Sequence, residues 1–159
     1  MVILGVDPGT RFSGYSVFQK QNAQLLLLDY GVFALGAQKP LPERIHRFHE
    51  NFDHLATKFE VSHLILETPF LGKNAQNFLK LGYLRGVLYL IAQNYNIKIL
   101  EFTPREIKLS VTGFGGASKE QVAFMVHKHL PHVAKDMRSD ATDALAIGLC
   151  GVWRLLRTK

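Results

Sequence analysis

Asp7, Glu67, Asp140 and Asp143 are the residues of this 159-residue chain whose types and placement could do chemistry. Asp7 closes the apolar run Val2-Ile3-Leu4-Gly5-Val6, and Glu67 closes a second one, His63-Leu64-Ile65-Leu66. Runs of this length suit strands covered on both faces. An acid at the end of such a strand stands in or beside low dielectric, where an unpaired carboxylate is costly. Asp140 and Asp143 lie three residues apart near the start of a late apolar segment, so a helix there sets them on one face. If the two strands are neighbours, all four acids can converge. They would then repel and shift one another's pKa unless a cation held them. Hard oxygen donors of this kind select Mg²⁺ or Mn²⁺. Two such ions about 4 Å apart can activate a water and stabilise the leaving oxygen in phosphodiester cleavage.

Taken singly, each acid has a plainer reading. Asp140 falls in a first helical turn, where the dipole favours a negative charge, and Asp143 alone is a polar helix residue. Asp7 before Pro8-Gly9 could serve a turn. Glu67 is harder to dismiss, because Thr68-Pro69 offers it no cation. The set says more than its members.

The elements that must position these acids read as mixed α/β. Phe12 to Gln19 and Gln24 to Phe33 read as two further strands, with a hairpin turn near Gln21-Asn22. Leu41, Ile45, Phe48, Phe52, Leu55 and Phe59 recur at helical spacing. After the Glu67 strand come a helix from about Asn74 to Asn94 and a fifth strand, Ile97 to Phe102. Thr103-Pro104-Arg105-Glu106 and Ser118-Lys119-Glu120-Gln121 are capping boxes opening two helices, the second running to about Leu130. Ser139 is the expected cap of a last helix to about Leu156. Turns join the first three strands and helical crossovers the later ones, so the predicted sheet is mixed and five-stranded, flanked by helices.

Composition bounds the class. The chain is 47% hydrophobic, which suits one globular domain over residues 1–159. No apolar run reaches the roughly 18 residues of a membrane span, and the first residues carry no secretory signal. The lone Cys150 fits a reducing, cytoplasmic setting. His46, His49, His54, His127, His129 and His132 come with no Cys pair and no His-Glu-x-x-His pattern, so zinc is not expected. Net charge is +6, and residues 70–119 hold seven Lys and Arg against two acids. A basic stretch beside a carboxylate cluster fits a protein that grips a polyanion. Lys73, Lys80, Arg85, Lys108 and Lys119 are the candidate nucleic-acid contacts in that stretch; the plainer reading is a solvated surface.

Gly5-Val6-Asp7-Pro8-Gly9-Thr10 with Gly14-Tyr15, Leu66-Glu67 with Phe70, Lys73-Asn74-Ala75, Leu79-Lys80-Leu81-Gly82 and Asp140-Ala141-Thr142-Asp143-Ala144-Leu145-Ala146 together resemble the RuvC family of Holliday junction resolvases. The likeness runs in order through essentially the whole chain. It implies an RNase H-like fold, a homodimer and a Mg²⁺-dependent site that nicks two opposing strands of a four-way DNA junction, leaving 5′-phosphate and 3′-hydroxyl ends. The resemblance maps the family's acids onto Asp7, Glu67, Asp140 and Asp143, and its DNA-contacting lysines onto Lys108 and Lys119. It maps an aromatic that stacks on an unpaired base onto Phe70, and it implies RuvA and RuvB as partners. Thr68-Pro69 departs from the family's pattern and would stiffen the loop carrying Phe70.

Some features stay open at this level. Gly113-Phe114-Gly115-Gly116 is either a mobile loop able to approach DNA or an ordinary turn. Gly82 and Gly86 suit either a dimer contact, as the resemblance implies, or close packing within one subunit. Asp7-Pro8-Gly9-Thr10 also resembles the phosphate turn of actin-like kinases, but their second domain and second phosphate motif have little room in 159 residues.

Overall fold

The computed structural model describes residues 1–21, 24–69 and 74–157. Strands β1 (Val2–Asp7), β2 (Phe12–Gln21) and β3 (Gln24–Ala34) precede helix α1 (Leu41–Lys58). Then come β4 (His63–Glu67), α2 (Ala75–Asn94), β5 (Lys98–Phe102), α3 (Pro104–Thr112), α4 (Lys119–His129) and α5 (Ser139–Arg157). The sheet has the order β3-β2-β1-β4-β5. β1 pairs antiparallel with β2 and parallel with β4, so the mixed sheet expected from the connections is the one observed.

Period-two alternation splits the central strands between two cores. Val2, Leu4 and Val6 of β1, with Leu64 and Leu66 of β4, face α1 and α2, where Phe48, Phe52, Leu84 and Leu88 cover them. Ile3 and Ile65 face the other way, into a core with Leu145, Ile147 and Leu149 of α5 and with α3 and α4. Each fully buried Phe or Leu contributes about 1.5–3 kcal/mol by leaving water. Continuing the alternation, Asp7 and Glu67 fall on the same side as Ile3 and Ile65, the side on which α5 lies.

α5 crosses the sheet at backbone contact distance. A methyl group on Gly5 would stand 2.6 Å from the amide nitrogen of Gly148, and one on Gly148 would stand 2.4 Å from Ser16 Oγ. Only glycine lets this helix and β1 approach so closely. The buried hydroxyl of Ser16 on β2 donates to the Ala144 carbonyl of α5 at 2.7 Å, which pins the helix along its length as well as in height.

Helix starts follow local chemistry. Both predicted capping boxes are present, with Thr103 and Glu106 at α3 and Ser118 and Gln121 at α4. α5 begins one residue earlier than expected. The Arg138 carbonyl accepts from the Ala141 and Thr142 amides, so Arg138 rather than Ser139 is the residue before the helix. The turn after α3 is held in place: Gly113 takes the left-handed conformation at φ 79°, and Thr112 Oγ1 accepts from the Phe114 amide at 3.0 Å while donating to its carbonyl at 2.9 Å.

Candidate active site

β1 and β4 run parallel, with Val6 opposite Leu66, so Asp7 and Glu67 leave the sheet side by side at its carboxyl edge. Parallel strands present ligand sites at that edge, because chain leaves the sheet there and opens a crevice. The crevice has a volume of about 570 Å³ and is lined by Asp7, Glu67 and Asp143. Leu81, Ile107, Val122 and Ile147 make its apolar wall, and Lys108 and Lys119 stand beside the acids.

The acids feel one another. Burial first, then the negative charges of Asp143, Glu67 and Asp140, push Asp7 from 3.8 up to about 7. Burial and Asp143 raise Glu67 as well, against the opposing pull of Lys119, Lys108 and Arg85. Lys119 Nζ donates to Asp143 Oδ2 at 3.4 Å, and that carboxylate is the main reason the lysine holds its proton more tightly than usual. Arg138 Nε donates to Asp140 Oδ2 at 3.2 Å, and the Arg138 guanidinium lies 3.6 Å from the centroid of the Phe12 ring.

The four acids differ in their surroundings. Asp140 lies outside the crevice lining, engaged by Arg138, and Asp143 is shared with Lys119. Among the described residues, no three or more His, Cys, Asp or Glu side chains already surround a common ion position. The donor chemistry nonetheless fits a hard divalent ion: three carboxylates line one crevice, and burial followed by the charge of neighbouring acids raises the proton affinity of Asp7 and Glu67.

The basic candidates separate. Lys108 on α3 and Lys119 on α4 both line the crevice. Lys80 on α2 is half-buried and outside the crevice lining. Arg85 lines the crevice but is not an exposed phosphate contact. It is only 6% exposed, and its guanidinium is turned onto the Glu67 carbonyl, Tyr89 and Glu101. Phe70 and Lys73 lie outside the described residues. Sequence reasoning missed Glu101 and Tyr89 as partners of this site; the one available signal was an acid on β5 followed by an apolar residue, beside a strand that itself ends in an acid.

A family model described as "Crossover junction endodeoxyribonuclease RuvC" matches residues 3–151. The chain belongs to the RuvC family. The RuvC of Chloroherpeton thalassium is 46% identical over 151 residues, which are 95% of this chain and 81% of that protein. The structure of Thermus thermophilus RuvC aligns over 98% of this chain and 96% of its own, with TM-score 0.86 and 28% identity. A second structure, T. thermophilus RuvC in complex with a Holliday junction substrate, aligns over 99% of this chain and 97% of its own, with TM-score 0.87 and 25% identity. The RNase H-like architecture expected from the resemblance is thus the one this chain shares with RuvC resolvases. Among the described residues no helix is long and apolar enough to cross a membrane.

Proposed function

We propose that this chain cuts four-way DNA junctions by paired nicks, with Asp7, Glu67, Asp140 and Asp143 as the acids of a divalent-metal site. The observation that carries the reading is one crevice lined by three carboxylates together with Lys108 and Lys119. Asp7, Glu67 and Asp143 would hold Mg²⁺, with Mn²⁺ able to replace it, and Asp140 would complete the set on release from Arg138. A bound divalent ion supplies activation of water and charge neutralisation at a phosphodiester.

The chain's own groups do the rest. Lys119 and Lys108 place fixed positive charge where the scissile phosphate gains negative charge, and the apolar wall of Ile107, Val122 and Ile147 lowers the local dielectric around them. Asp7, buried and beside three other acids, would be the acid most in need of a counter-ion. Phe70 would stack on an unpaired base near the junction centre, a contact worth about 1–3 kcal/mol. Lys73 and Lys80 would contact the phosphate backbone.

The working unit in this reading is a homodimer, since two symmetric nicks need two sites. Support comes from α2: Leu79, Tyr83, Gly86 and Leu90 recur at steps of four, three and four, with Leu79 and Leu90 each 56% exposed and Tyr83 45%. Among the described residues, a methyl group on Gly82 or Gly86 would meet nothing within 4 Å outside the helix's own backbone, so close packing among them does not require either glycine. In this reading the chain works in the cytoplasm as a single domain, with RuvA and RuvB as the partners that bring it to moving junctions.

The deciding experiment is cleavage of a mobile four-way junction in Mg²⁺. Paired nicks at symmetric positions are expected, with Ca²⁺ supporting binding without cutting. Equal cutting of linear duplex and junction would refute the proposal.

A further inference from the structure

Arg85 clasps three elements from a nearly dry position. It sits on the inner face of α2, and its Nη1 donates to the main-chain carbonyl of Glu67 at 2.7 Å. Nη2 donates to the Tyr89 hydroxyl at 3.0 Å and to the Glu101 carboxylate. Tyr89 in turn donates to the same Glu101 oxygen at 2.7 Å. A buried cation is costly unless paired and hydrogen-bonded, and Glu101 on β5 supplies the pairing. The clasp closes where β4 ends: the Thr68 amide makes one more bond, to the Phe102 carbonyl at 2.8 Å, and Pro69 has no amide to continue the ladder.

We propose that Arg85 is a positioning residue: held by Glu101 and Tyr89, its planar fork locks the Glu67–Thr68 peptide and so aims the Glu67 carboxylate into the crevice. The function assigned to it rests on the reading of Glu67 as a site acid; the clasp itself does not. A lysine carries the same charge but lacks the fork that grips a carbonyl and a carboxylate together.

The test uses Arg85→Lys, Glu101→Gln and Tyr89→Phe in the full chain. Amide hydrogen exchange at Thr68 should quicken by about 10-fold in Arg85→Lys and Glu101→Gln, while β1 and α5 keep their protection. At saturating junction in Mg²⁺, single-turnover cleavage should fall about 10- to 100-fold in these two and less in Tyr89→Phe. Junction affinity in Ca²⁺ and its dependence on salt should stay as in the parent. Weaker binding with a salt slope reduced by about one, and unchanged Thr68 exchange, would make Arg85 a phosphate contact and overturn the proposal. Should Arg85→Lys unfold, the two milder variants decide: unchanged exchange and cleavage in both also overturn it. A parent protein that cuts no junction, with Thr68 loosened in the variants, would remove the nuclease reading and keep the clasp.

Discussion

Lys119 Nζ lies 3.4 Å from Asp143 Oδ2, so a cation carried by α4 pairs with an acid of α5. The lysine is mostly exposed, and an exposed pair contributes no more than about 1 kcal/mol to stability. Its ammonium competes with a divalent ion for the same carboxylate. Lys119→Met should therefore melt within a few degrees of the parent, show a larger Mg²⁺-induced rise in Tm, and cut junctions about 100-fold more slowly. Thermal melts across a Mg²⁺ titration, beside single-turnover rates, check all three.

Asp7 gives stability a distinctive pH dependence. Its proton affinity is raised from 3.8 to about 7, chiefly by burial and then by Asp143, Glu67 and Asp140. Between those values the folded protein keeps a proton that the unfolded chain has released. Stability of the ion-free protein therefore falls as pH rises from about 4 to about 7, then levels off. Asp7→Asn should flatten that slope, raise Tm at pH 8 and abolish cleavage.

Protons and metal compete for the same oxygens. The Mg²⁺-induced gain in Tm should be small at pH 5.5 and large at pH 8, and Mg²⁺ binding near pH 7 should release protons. Calorimetry in buffers of different ionisation enthalpy measures that release directly; a pH-independent Mg²⁺ effect would contradict the assignment of Asp7.

The Gly5–Gly148 contact sets the height of α5 above the sheet. Gly5→Ala places a methyl 2.6 Å from a backbone nitrogen, which cannot swing aside as a side chain can. A loss of about 3 kcal/mol is expected on denaturation. Cleavage should drop even at temperatures where the variant stays folded, because Asp143 rides on the displaced helix.

Leu90 and Tyr83 test the proposed dimer face. Leu90→Asp combined with Tyr83→Asp should halve the mass seen by sedimentation without lowering the folding stability by more than about 1 kcal/mol, since both side chains are exposed within the subunit. Junction nicks should then become single and uncoupled. An unchanged mass would place the interface elsewhere.

The sequence by itself determined the acids, the order of elements and the starts of α3 and α4. Capping boxes at Thr103 and Ser118 act over three residues, and the alternation in Val2–Asp7 and the helical stripe from Leu41 are near-neighbour patterns, so they are readable along the chain. Convergence of the acids was legible only as a condition, that β1 and β4 should be neighbours. Tertiary structure met that condition and then decided what no local pattern carries. It set Asp143 in the crevice and Asp140 outside its lining on Arg138, turned Arg85 inward onto the Glu67 carbonyl, and left Gly82 and Gly86 exposed. The physical reason is that charge and periodicity are properties of a residue and its near neighbours. The direction an arginine faces depends on which distant carbonyl and carboxylate the packed fold brings within hydrogen-bonding reach.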